Sequence, residues 1–322
     1  MKKTTWNTLM ARHPALFALI LFVIIIIINA ILQPGLFALE TLNNNMRVFL
    51  PLLLLAVGQS IVMIGGGIDI SVGGIASIIN CVLATQVGLN GSMEDMWKFI
   101  FISLLAGVLA GAINGFFIAV LRLQPIITTY ATGFIYAGFA LFLLPNPGGG
   151  IPRAVADFYR TTTPFGLPLA FSVIAVIVLI WWYVRSTRFG RYLYAVGGKA
   201  DAAYQTAVPV NWVVFSTYVI SGLMAAFSGI AITMLSGSGN AEIGSGMTLN
   251  SITAAVIGGT AMSGGVGGVA GPIMGTITLG LMQNIVSFSG ISTWWETLAK
   301  ALIIVVALAA PGIINLFIRE KK

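Results

Sequence analysis

Ser186-Thr187-Arg188-Phe189-Gly190-Arg191-Tyr192-Leu193-Tyr194-Ala195-Val196-Gly197-Gly198-Lys199-Ala200-Asp201-Ala202-Ala203-Tyr204-Gln205-Thr206-Ala207-Val208-Pro209-Val210 interrupts an otherwise apolar chain. Four cations, Arg185, Arg188, Arg191 and Lys199, stand here between two long hydrophobic runs. An excess of Lys and Arg in a connection between membrane spans marks its cytoplasmic side. Ala202, Ala203 and Gln205 are good helix formers, so Ala200 to Val208 reads as a short helix. Gly197-Gly198 precede it and Pro209 blocks its continuation. A short, punctuated helix outside the membrane suits contact with another protein better than a substrate pocket.

Working outward, the 322 residues are 58% hydrophobic and only 8% charged. Soluble globular chains carry roughly 25% charged residues, so this is an integral membrane protein. The net charge of +7 does not form the basic stripe of a nucleic-acid binder. Its cations sit at the ends of apolar runs, where they set topology, and no nucleic-acid partner is expected. Cys81 lies alone in an apolar run and reads as a small packing residue. His13, before Pro14, is the lone histidine; neither residue supports a metal site, which needs several ligands.

Leu16 to Leu32 is too long for a signal-peptide core and lacks a cleavage site after it, so it reads as a retained first span. Further spans are expected near 47–64, 72–89, 98–121, 125–145, 168–184, 212–234, 248–262, 271–289 and 297–318. The eighth is short for a crossing of about 17–25 residues, which suggests a broken span or one continuing into 243–247. The expected fold is all-α: a polytopic membrane protein of about ten transmembrane helices, both termini cytoplasmic. Residues 1–322 read as one transmembrane domain. With that orientation, Lys2, Lys3, Arg12, Arg122, Arg185, Arg188, Arg191, Lys199, Arg319, Lys321 and Lys322, 11 of the 16 cations, fall on the inner side. Glu40, Glu94, Asp95, Asp157, Glu242 and Glu296 fall outside or at the outer boundary. Residues 33–46 and 146–167 form the longer outer connections, the second irregular.

Thr187-Arg188-Phe189-Gly190-Arg191, Tyr194-Ala195-Val196-Gly197-Gly198 and Ala202-Ala203 together resemble the cytoplasmic loop of membrane permeases in ribose-type sugar ABC importers. The resemblance implies an ATPase-coupling loop over 185–211, with Thr187, Phe189, Gly190, Arg191, Ala202 and Ala203 as its site residues. Two departures are Lys199, where the family usually has Asn, and Ala207-Val208, where it has Gly-Ile.

Gly65-Gly66-Gly67-Ile68-Asp69-Ile70-Ser71-Val72-Gly73-Gly74 falls between the second and third spans. Asp69 or Ser71 can cap the following helix by accepting its orphan N–H groups, and a carboxylate there meets the positive end of the helix dipole. A buried cap and tight turn is the plain reading; a hinge near an inner gate is the functional one. The tract also resembles the permeases' Gly-Gly-Ile-Asp-Leu-Ser-Val-Gly signature, with Ile70 for Leu. Ala254-Ala255-Val256-Ile257-Gly258-Gly259-Thr260-Ala261-Met262-Ser263-Gly264-Gly265-Val266-Gly267-Gly268 resembles their second Gly-rich signature. An Asp commonly precedes that signature, and here Asn250 stands instead. The candidate hinge residues are therefore Gly65, Gly66, Asp69, Ser71, Gly73, Gly258, Gly259, Gly264 and Gly265. Both tracts place Ile-Gly-Gly after an apolar run.

Gly265-Val266-Gly267-Gly268-Val269-Ala270 fits a dinucleotide-binding pattern, but that pattern needs a preceding strand and an acid about 20 residues on. Here a span precedes it. Gly198-Lys199 lacks the rest of a phosphate-binding loop. No cofactor is expected on this chain, and ATP is expected to be used by a partner. Gly107, Gly111 and Gly115, like Gly271 and Gly275, recur every four residues, as they do where helix backbones approach closely in lipid.

Polar residues within the spans are Gln59, Asn80, Asn114, Thr128, Thr129, Thr132, Asn250, Thr253, Gln283 and Asn284. Each needs a partner or a wet cavity, and interhelical bonding accounts for most. Asn114, Thr128, Thr129 and Asn250 are the candidate substrate path. Apart from Asp69 and Lys300 near span ends, ionisable residues are missing, whereas ion-driven carriers keep such relays in the membrane. Ser287-Phe288-Ser289-Gly290-Ile291-Ser292-Thr293-Trp294-Trp295 carries interfacial tryptophans and looks like the galactofuranose-type branch of these permeases.

The resemblance implies a permease subunit of a bacterial importer for a neutral monosaccharide, in the inner membrane. It implies three partners: a cytoplasmic ABC ATPase, a periplasmic sugar-binding protein and a second permease subunit. The competing class is an ion-coupled secondary transporter of a small neutral solute. No catalytic residue is expected.

Overall fold

The computed structural model describes residues 14–290 and, beyond them, 292, 294, 295, 297, 298, 301 and 302. Both termini, His13, Lys300 and most of the expected tenth span lie outside the described residues. Twelve α-helices are present among the described residues, with no strand beyond a single bridge between Gly148 and Gly239. They are α1 (Pro14–Leu32), α2 (Leu39–Ile64), α3 (Val72–Gln86), α4 (Met93–Gly115), α5 (Pro125–Leu143) and α6 (Arg153–Thr161). Then follow α7 (Leu169–Ser186), α8 (Arg188–Gly198), α9 (Ala200–Gln205), α10 (Val210–Ser236), α11 (Met247–Ile257) and α12 (Ala270–Phe288). Five of them, α2, α4 with its continuation to Val120, α5, α7 and α10, are long and apolar enough to cross a membrane. The chain is a polytopic helical membrane protein.

α2 and α10 form the interior and pack on each other, with α3, α4, α11 and α12 around them. The most apolar stretch of α2 is 83% buried, against 6% for α7. The glycines spaced by four do what that spacing predicts. A Cβ at Gly107, Gly111 or Gly115 of α4 would run into Gly222, the Tyr218 carbonyl or Phe215 of α10, and Gly271 and Gly275 meet Gly258, just past α11, and Ala254 within it. These are contacts within one chain. Cys81 is buried beside Ala140 and Ala241 as a packing residue.

Three expectations on boundaries change. α2 begins at Leu39, not near 47, because long-range bonds hold its polar first turns. Asn43 donates to the Arg160 carbonyl (2.9 Å), and Asn284 to Asn45 (3.2 Å). Pro51 within α2 has no N–H for the Arg47 carbonyl, and the Tyr159 hydroxyl supplies that donor at 2.7 Å. The outer connection 146–167 is not wholly irregular, since it contains α6. α11 ends at Ile257; eleven residues rise only about 16 Å, so it does not cross a bilayer of roughly 30 Å.

The two Ile-Gly-Gly tracts fold alike. After Ile64, Gly65 stays helical and Gly66 turns to φ 87°; after Ile257, Gly258 stays helical and Gly259 turns to φ 86°. In each, the second glycine's N–H and the next residue's N–H cap the helix, Gly67 on Val62 (3.0 Å) and Thr260 on Ala255 (2.9 Å). A left-handed residue here closes the last turn on itself. The turns are joined by Ser60, whose hydroxyl lies 3.0 Å from that of Thr260 and donates to the Gly268 carbonyl (2.9 Å).

Candidate functional site

The three tracts singled out in the sequence converge. Gly197, near the end of α8, lies so close to the Ile64 carbonyl and the Gly265 N–H that a Cβ would overlap them. A Cβ on Gly264 would lie 3.0 Å from the Gly66 Cα, and one on Gly265 would lie 2.8 Å from the Gly198 Cα. The Gly265 N–H donates to the Ile64 carbonyl at 2.9 Å, and the Tyr194 hydroxyl to the Gly267 carbonyl at 2.8 Å. Three backbones touch with no side chain between them. A displacement of α8 therefore bears directly on both glycine turns, because close-packed backbone has no slack to absorb it.

The segment 187–209 differs from its expected form. Helix runs through Gly197-Gly198 and breaks only at Lys199, and α9 stops at Gln205. Thr187 caps α8 through Gly190 N–H (3.4 Å), and Arg191 donates to the Ser186 carbonyl (2.8 Å). Phe189 packs against the core and Gly190 abuts the Val184 carbonyl. These four hold the turn between α7 and α8. Ala202 is exposed, but Ala203 is buried with Leu193, Val196, Val208 and Val213. A docking residue must be reachable, and Ala203 is not, whereas Ala202, Tyr204 and Gln205 are exposed. Ala207 sits at φ 61°, where the Val208 N–H returns to the Ala203 carbonyl at 3.1 Å. A left-handed residue is where glycine costs least, which accounts for the Gly in the pattern that Ala207 departs from.

Asp69 is fully buried in the turn between α2 and α3. One carboxylate oxygen accepts from the Ser71 N–H (2.9 Å) and hydroxyl (2.6 Å), the other from the Ser221 hydroxyl (2.8 Å). Asn114 donates to Ser71 (2.7 Å), and Thr132 to Asn114 (2.6 Å). The Gln59 amide, its atoms assigned from its neighbours, pairs with the Asp69 main chain at 2.8 and 3.2 Å. The Ile70 N–H donates to Thr129 (3.0 Å). The expected cap is thus partly corrected. Ser71 does not cap α3, because its hydroxyl is spent on Asp69; Thr248 of α11 accepts from the Gly73 N–H instead, at 3.1 Å. Nothing in the sequence signals a cap supplied from 175 residues away.

Of the four path candidates, Asn114 and Thr129 belong to this network, and Thr128 bonds the Gln124 carbonyl (2.9 Å). Asn250 alone lines a cavity, of about 170 Å³, between α2, α11 and α12. At the α8–α9 end an open groove of about 1230 Å³ is bordered by Gly65–Gly67, Asp201, Tyr204 and Trp212. Among the described residues no group of His, Cys, Asp and Glu has the makings of a metal site.

Residues 41–308 match a family described as branched-chain amino acid transport system, permease component. The chain is 29% identical over 298 residues to the ribose import permease protein RbsC of Haemophilus influenzae, covering 90% of this chain and 91% of the relative. It is 29% identical over 306 residues to the autoinducer 2 import system permease protein LsrD of Photorhabdus temperata (92% and 91%). It is 33% identical over 265 residues to a probable ABC transporter permease protein, y4mJ, of Sinorhizobium fredii (80% and 77%). No solved structure matches. With most of its length matched and its signature tracts gathered at one junction, this chain belongs to that family of transport permease components and works as a permease subunit, not an enzyme.

Proposed function

We propose that the chain is the membrane subunit of a binding-protein-dependent ABC importer carrying a neutral monosaccharide into the bacterial cytoplasm. The observation that carries this reading is the near-full-length likeness to permeases named for ribose and autoinducer 2 import. The spans agree with a neutral cargo. Residues 48–64, 72–86, 99–120, 125–143, 169–184, 210–236, 247–257 and 270–288 contain no Asp, Glu, Lys, Arg or His. An ion-coupled carrier would need such a relay. A furanose hexose is a further candidate through the likeness of 287–295.

In this reading the α8–α9 end faces the cytoplasm, as its cations require, with both termini on the same side of the inner membrane. A separate ATPase seats against Ala202, Tyr204 and Gln205 beside the open groove, and a periplasmic binding protein and a second permease subunit complete the assembly. Motion of α8 reaches the 65–67 and 264–265 turns through the glycine junction. This chain holds no nucleotide. The parts form one transmembrane unit over 1–322.

The test is uptake in proteoliposomes holding this chain, its ATPase and its binding protein. Radiolabelled aldopentoses and aldohexoses are compared with L-leucine, with and without vanadate and a protonophore. Vanadate-sensitive, protonophore-resistant sugar uptake is expected. Uptake without the ATPase that collapses with the proton gradient would establish the carrier instead. Cysteines at Gly198 and Gly149 in a Cys81→Ala background test the orientation: Gly198→Cys reacts from the cytoplasm and Gly149→Cys from outside, and the reverse pattern refutes it.

A further inference from the structure

Most polar side chains within the apolar runs are hydrogen-bonded, among them Gln59, Asn80, Asn114, Thr128, Thr129, Thr132, Thr253 and Asn284. Beyond those already described, Asn80 holds Thr233 and the 238–240 main chain, and Thr253 bonds the Leu249 carbonyl (2.7 Å). Asn250 and Gln283 have no side-chain hydrogen bond, and both line the 170 Å³ cavity; among the described residues the buried hydroxyls of Ser103 and Tyr218 are also unpaired, but they lie singly and away from it. A third group joins them there. Thr276 is wholly buried, lines the same cavity, and its hydroxyl has no hydrogen-bond partner. Three unmatched polar groups from two helices thus converge on one space, closed on the α2 side by Phe49. Gly280 lets the Phe49 ring lie flush, since a Cβ there would overlap it.

An unpaired polar group in hydrocarbon is strongly unfavourable, so these three require water or a solute. Gln283 is exposed on the bundle's flank, about 7–8 Å from the end of α12. The cavity holds about five or six waters at ~30 Å³ each. That is below the roughly 300–1,000 Å³ of a drug-sized site and suited to a compact solute. Asn and Gln amides and a Thr hydroxyl both donate and accept, as do sugar hydroxyls, and an aromatic ring offers an apolar wall. Neutral groups also bind weakly enough to release, as conduction requires.

We propose that this cavity is a transit site for a neutral polyhydroxylated solute, with Asn250, Thr276 and Gln283 exchanging hydrogen bonds with its hydroxyls against Phe49. The inference rests on the sugar-importer reading above. Its test uses the whole importer in proteoliposomes, with the radiolabelled aldopentose or aldohexose that the wild type takes up, and a thermal melt of each solubilised variant. Thr276→Val keeps the shape and removes a hydroxyl that has no partner to lose. We expect its melting temperature to be unchanged or raised and its maximal uptake rate to fall about tenfold, with Asn250→Leu falling at least as far. Equal uptake by wild type and both variants overturns the transit site and leaves the importer reading standing. Uptake and melting temperature falling together in Thr276→Val assigns the hydroxyl a structural role and also overturns it. Wild-type uptake of L-leucine and of no sugar defeats the importer reading, and the polyol assignment with it.

Discussion

The Asp69 turn and the cavity between α2, α11 and α12 are built from similar residue types, Asn, Gln, Thr and Ser, within the same apolar bundle. They differ in pairing. Around Asp69, each carboxylate oxygen and each amide has a partner, Ser71 within the turn and Ser221, Thr132 and the Asp69 main chain across helices. Around the cavity, Asn250, Thr276 and Gln283 have none. Because hydrocarbon makes an unmatched polar group expensive, the first arrangement is complete in itself and the second is complete only with something in it. Residue type in a span does not say which polar groups are paired; only the packed structure does.

The comparison can be broken most severely at the junction beneath the Asp69 turn. Gly197→Val would drive two methyl-bearing branches into the Ile64 carbonyl. Since backbone faces backbone there, we expect a loss of about 3 kcal/mol or more, seen as loss of the monodisperse peak on size exclusion. A normal peak would mean the junction is loose. Ala203→Glu buries a charge and should cost a similar amount, about 3 kcal/mol, while Ala202→Glu, one residue away on the exposed face, should fold normally and lose co-purification with the ATPase. Full ATPase retention by Ala202→Glu would remove α9 from the contact.

Within the paired network itself, Asp69→Ala strands three donors and should lower stability by roughly 2–3 kcal/mol, read as a drop in melting temperature. Asp69→Asn should lose less, because the amide oxygen still accepts. Thr276→Val is the sharpest contrast: removing an equally buried hydroxyl should change stability by less than about 1 kcal/mol. A large drop would show that the hydroxyl is paired after all. The smallest effect is at the end of α9. Ala207→Gly relieves a left-handed alanine and should gain about 0.5–1 kcal/mol, measured as a modest rise in melting temperature.

Much of the architecture was legible. Nine of the ten expected apolar runs fall on helices, α1–α5, α7 and α10–α12, and five of these, α2, α4, α5, α7 and α10, are long and apolar enough to cross a membrane; most of the tenth run lies outside the described residues. The short eighth span is short. The early start of α2 was not legible, since Asn43-Asn44-Asn45 reads as loop until Arg160 and Asn284 are seen to hold it. Nor was the burial of Ala203, which follows from the chain doubling back at Ala207. In the candidate site the glycine tracts were identified singly, and nothing in their spacing said that they touch.

Membership of the membrane class, the number of apolar runs and the family signatures are written in the order of residues. They are local properties: a run of side chains partitions into hydrocarbon, or a glycine permits a turn, whatever lies elsewhere in the chain. Which polar groups are satisfied is not local. Asp69 meets Ser221 across 152 residues and Ser60 meets Thr260 across 200, while Asn250 and Thr276, no less polar, meet only open space. A hydrogen bond exists only when two distant segments are brought within about 3 Å, and packing alone does that.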